Sequence, residues 1–131
     1  MAVNRGQERP LQRQRTAYAI LLALALAFTL YEELHLRRWL YHQASVNKIL
    51  PGSLPNFLAV VDLGLAYAVA RLPQTSQAIT QLVASVVAGL CLYEVVQIWL
   101  PHQVFDWYDI AATLLGGLTV WLLIYLPLPR P

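Results

Sequence analysis

Two polar pairs, Glu94 with Gln97 and Asp106 with Asp109, stand on either side of Pro101 in the stretch YEVVQIWLPHQVFDWYD. Members of each pair are three residues apart, which puts them on one face of a helix. Carboxylates and an amide gathered in this way accept hydrogen bonds and attract cations, and with histidine they suit oxygen-preferring divalent ions. His35, His42 and His102 are the only histidines in the chain. None falls in an H-E-x-x-H or H-x-x-E-H spacing and no G-x-S-x-G occurs, so no catalytic residue, metal or cofactor is assigned. Asp106 and Asp109 also suit the first turn of a helix, where unpaired N–H groups and the helix dipole favour negative charge. One cap would account for Asp106. It leaves Asp109 over, because Asp109 projects about 60° from Asp106 and continues toward Thr113 and Gly116.

The elements that carry these groups are dictated by composition. With 58% hydrophobic and 12% charged residues in 131, the chain is too apolar for an ordinary soluble domain. A membrane-spanning helix needs about 20 mostly apolar residues. Four such spans are expected, over 16–36, 56–72, 78–100 and 107–127, giving an all-α polytopic four-helix bundle. The first span reaches full length only by taking in Glu32, Glu33 and Leu34, and a basic stretch before a short apolar run is also the pattern of a secretory leader. Runs such as AYAILLALALAFTL are apolar all round instead of striped, which argues for lipid over a soluble bundle.

Residues 1–15 read as a basic tail, unstructured or lying on anionic lipid, and 16–131 as the membrane domain. Between the first two spans, 37–55 is long enough for a short interfacial segment, with Pro51-Gly52-Ser53 as a turn and Pro55 in the first turn of the second span. Thr75 or Ser76 is the candidate cap of the third span. Cys91 stands alone, so no disulfide forms within the chain. A net charge of +2 without a basic, aromatic-interleaved face excludes a nucleic-acid partner.

Arg5, Arg9, Arg13, Arg15, Arg71 and Arg130 flank one membrane face, against Arg37, Arg38 and Lys48 on the other. The excess predicts both termini on the cytoplasmic side. Trp39, Tyr41, Trp99, Trp107 and Tyr108 then form an outer aromatic belt, and Tyr18, Trp121 and Tyr125 an inner one. Ala84 with Ala88, Ser85 with Gly89, and Gly116 with Gly117 are the positions where helices should approach closely.

Threaded through four spans, six of the seven acids collect at the outer side, together with all three histidines. Asp62 lies about 10 Å and Glu94 about 9 Å below the outer ends of their spans, at 1.5 Å per residue. Carboxylates at such depth are costly and usually face a bundle interior or a wet cavity. They are expected either to lock helices together by pairing with Arg37, Arg38 or Lys48, or to form a site of Glu94, Gln97, Asp106 and Asp109, with Asp62 facing it and Trp107 on its rim. Glu32 and Glu33, nearer the interface, are expected to be a solvated helix end.

The spacing Tyr93-Glu94-x-x-Gln97, Pro101, Phe105-Asp106-x-x-Asp109-Ile110, Ala112 and Gly116 resembles the C-terminal signature of VanZ-like membrane proteins over roughly 93–117, with Phe57 and Gly64 echoing an earlier family segment. Three positions depart from that signature: Gln103 stands for an arginine, Thr113 for an asparagine and Asn56 for a histidine. The resemblance implies a bacterial inner membrane and a role at the envelope of the kind linked to glycopeptide resistance. The missing arginine and histidine argue against chemistry. Two functions are therefore expected: an accessory subunit packed among other membrane subunits, or an envelope protein that binds a headgroup or glycan through the outer carboxylate and aromatic site.

Overall fold

The computed structural model describes residues 5–43, 47–101 and 104–126, with side chains from Pro10 onward. The chain is an all-α bundle with four helical stretches long and apolar enough to cross a membrane. Helix α1 (Arg5–Tyr31) passes through one π-helical turn (Glu32–Leu36) into α2 (Arg37–His42). It is followed by α3 (Ile49–Arg71), by α4 (Ser76–Val96) with a terminal 3-10 turn (Gln97–Trp99), and by α5 (Trp107–Tyr125).

The expected tail is helical from Arg5, and Met1 to Asn4 lie outside the described residues. Gln, Arg and Glu are good helix formers, and a helix already nucleated by the apolar run extends into them at little cost. The interfacial segment shrinks from both sides. One helical path runs to His42, and α3 starts at Ile49, so Pro51, Gly52 and Ser53 are helical and not a turn. Pro51 is tolerated because first-turn N–H groups have no helical acceptor. The Asn47 side chain accepts from the Ile49 N–H at 3.1 Å, marking that start. Pro55 consequently falls in the second turn. Thr75 caps α4 as expected, its hydroxyl accepting from the Ala78 N–H at 3.1 Å.

Helix α3 is the centre of the bundle. It packs against α5 on one side and α1 on another, while α4 leans on α5. The core consists of Tyr18, Val60, Val61, Leu65, Ala68, Ile79, Val83, Val120 and Ile124. Glycine sets the spacing. A Cβ on Gly116 would stand 2.7 Å from the Phe57 carbonyl oxygen, one on Gly64 2.8 Å from Val120, and one on Gly117 2.5 Å from a Val87 methyl. Lipid offers no hydrophobic drive between helices, so this close approach supplies the packing energy. Of the expected small-residue positions, Gly116 and Gly117 serve this purpose, whereas Gly89 has nothing within 4 Å.

The bundle has an acidic end, carrying Trp39, Trp99 and Trp107, and a basic end, carrying Arg13, Arg15 and Arg71. Trp99 and Trp107 are 73% and 75% exposed, as an interfacial belt requires. At the basic end Tyr18 turns inward instead, while Tyr125 stays exposed. Tyr18 is fully buried, accepting from the Gln14 amide at 2.8 Å and donating to the Ile124 carbonyl at 3.1 Å. Trp121 donates to the Thr80 hydroxyl at 3.0 Å and stacks on Tyr125.

Candidate binding site

The contacts of Thr80 with Trp121 and of Val87 with Gly117 fix the antiparallel register of α4 and α5. Carried seven or eight residues toward the acidic end, that register brings Glu94 level with Asp109. The Asn56 side chain of α3 comes near both carboxylates. Gln97 adds a second amide beside Glu94. Glu94 is 2% exposed and Gln97 8%. Oε2 of Glu94 has no hydrogen-bond partner. Thr113, fully buried one turn deeper, spends its hydroxyl on the Asp109 carbonyl at 2.8 Å and offers the site no donor.

Asp106 is the N-cap of α5. Its Oδ1 accepts from the Tyr108 N–H at 2.9 Å in extended backbone geometry. Asp106→Asn preserves a good cap and should cost at most about 1 kcal/mol in thermal unfolding, with ligand retention unchanged. A larger loss would mean that Asp106 has a further partner. Trp107, 75% exposed, makes a T-shaped contact with Phe105 at a centroid distance of 5.0 Å. Its exposure suits an interfacial anchor.

Asp62 does not face this site. Six residues below Asn56 on α3, or about 9 Å deeper, it turns to α1, where Oδ2 accepts from the Thr29 hydroxyl at 2.8 Å and Oδ1 is buried without a partner. The first acid pair also divides. Glu33 is solvated and bridges Arg37 at 3.0 Å, an exposed i,i+4 pair worth a few tenths of a kcal/mol. Glu32 is 1% exposed on the face of α1 that carries Thr29, with Oε1 unpartnered. It opens the π-helical turn, a geometry that recurs at functional positions. The expected pairing of deep acids with Arg37, Arg38 or Lys48 is not made: Arg37–Glu33 is the one ion pair among the described residues.

Sequence reasoning passed over two of these groups. Asn56 is read only as a departure from the VanZ-like signature, although it opens the expected second span and so stands near the outer level of Asp109 at the start of the fourth. Glu32 could not be separated from Glu33 by depth. In the structure Glu32 shares the face of Tyr18, Ala25 and Thr29, which packing turns inward. His102 lies outside the described residues, and among those described no three His, Cys, Asp or Glu side chains are arranged to hold a metal ion. In comparisons with known proteins, the chain matches no family model, no curated protein and no solved structure.

Proposed function

We propose that this chain is a small, non-catalytic, VanZ-like integral membrane protein that receives a cationic headgroup at the site of Glu94, Gln97, Asn56 and Asp109. The observation that carries this reading is Glu94, a buried carboxylate with an unpartnered oxygen, two amides and a second carboxylate beside it, and no ion pair to a basic side chain among the described residues. A polar atom of that kind is expensive unless something arrives to pair with it. An ammonium group would find two carboxylates at one depth. The VanZ-like spacing of Glu94, Gln97, Asp106 and Asp109 supports an envelope ligand, with a glycan as a second chemistry for the same amides.

The test uses the protein in nanodiscs of uncharged lipid, titrated calorimetrically with dodecylammonium and with dodecyl sulfate, empty discs serving as blank. Saturable binding of the cation alone supports the site. Equal responses to both amphiphiles would remove it.

A second reading, an accessory subunit, draws on α1. Only 6% of its apolar window is buried, against 39% for α3, which leaves a long face for lipid or for another subunit. Pull-down from native membranes separates the two: a stoichiometric complex favours the subunit. With four crossings both termini share one side, and the excess of arginine there supports a cytoplasmic side, while the VanZ-like spacing supports a bacterial inner membrane. A C-terminal reporter fusion should be active only as a cytoplasmic enzyme. Activity of a periplasmic reporter would reverse the orientation and leave the clustering of acids untouched.

A further inference from the structure

At the basic end, α3 and α4 leave a groove of about 710 Å³ on the side of the bundle away from the carboxylates. Leu63, Tyr67 and Arg71 form one wall, at i, i+4 and i+8 of α3. Leu82, Ser85 and Gly89 belong to the other. The groove exists because α5 draws both helices to itself through glycine, α3 at Gly64 and Gly116 and α4 at Gly117. No comparable contact closes α3 on α4, and Gly89 faces open space.

Three features identify the occupant. Arg71, at the mouth, is exposed and has no acidic partner among the described residues. Of the described acids, Glu8 of α1 shares the basic end, Asp62 lies mid-helix turned to Thr29, and the other five stand at the opposite end, so beside Arg13, Arg15 and Arg71 the groove attracts an anion. From Arg71 to Leu63 the groove runs about 12 Å, and from Ala78 to Leu90 about 18 Å, at 1.5 Å per residue. That is close to half the roughly 30 Å hydrocarbon core, the reach of one leaflet's acyl chain, whereas a helix from another subunit would need a groove across the whole core.

We propose that this groove is a binding site for an anionic phospholipid of the leaflet on the side of the N-terminus, with its phosphate on Arg71 and an acyl chain between α3 and α4. Tyr67 and Gln81 flank the chain below the headgroup. Guanidinium matches phosphate geometry through paired N–H donors, and the small side chains of Ser85 and Gly89 leave the width that the chain fills.

The experiment is native mass spectrometry of the full chain released from nanodiscs containing equal phosphatidylglycerol and phosphatidylcholine. One phosphatidylglycerol should remain bound preferentially. Arg71→Gln should lower its retention roughly tenfold, the value of one charge-assisted contact, while leaving phosphatidylcholine as it was. Gly89→Leu fills open space, so it should preserve the thermal unfolding midpoint and reduce retention of both lipids. Equal retention of the two lipids by the wild type, or no response to Arg71→Gln, overturns the proposal. A dimer that Gly89→Leu dissociates would assign the groove to a second copy of the chain and overturn it as well.

Discussion

Valine at Gly116 is expected to separate α5 from α3 and to produce the largest loss of stability of any single change in the bundle. The glycine hydrogen already faces the Phe57 carbonyl, where a Cβ would sit at 2.7 Å, and Val60 closes the other side at 3.0 Å. A backbone oxygen inside a helix cannot rotate away as a side chain can, so relief requires the two helices to move apart. Overpacking in a tight core costs about 1–3 kcal/mol and occasionally more, and this position belongs at the upper end. The separation would also lift Asp109 away from Asn56, coupling the damage to the site. Equilibrium unfolding in mixed detergent micelles measures it, with Gly89→Ala as the control that meets no atom. Gly117→Ala should fall between them, because the Val87 methyl group that it meets can turn. Equal stabilities across the three variants would show that the α3–α5 seam is not held by this contact.

Glu94→Gln is expected to divide stability from binding. Glutamine keeps the volume and one acceptor oxygen, and replaces the unpartnered Oε2 with an amide that can donate to the Asp109 carboxylate. Removing an isolated buried carboxyl should leave folding intact or strengthen it, since such groups cost stability when nothing pairs with them. Binding should move the other way. Loss of one member of a buried charge pair costs about 2–5 kcal/mol, which is roughly thirtyfold to several thousandfold in Kd. The same dodecylammonium titration reads this directly, alongside a thermal melt of each variant. Asp109→Asn should weaken binding less, because Asp109 is only half-buried. If Glu94→Gln binds the cation as well as the wild type does, Glu94 is a structural carboxylate and the site is not there.

Depth in the membrane was legible from the sequence because it follows from chain length alone: each helical residue advances 1.5 Å, whatever surrounds it. That arithmetic, with hydropathy, yields four spans, the collection of acids at one end, the level pairing of Glu94 with Asp109, and the caps Thr75 and Asp106, whose side chains bond to N–H groups within three residues. Azimuth is another matter. Which way a residue faces in lipid has no apolar-to-polar gradient to read, since both the bundle interior and the bilayer accept the same side chains. Packing therefore decided that Glu32 is buried while its neighbour Glu33 is solvated, and that Asp62 turns to Thr29 instead of to Glu94. It also decided that Gly116, and not Gly89, lies where two backbones touch, and that Asn56 comes near the two carboxylates. Each of these outcomes depends on where a second helix lies, and in this bundle the close contacts at Gly64, Gly116 and Gly117 set that position.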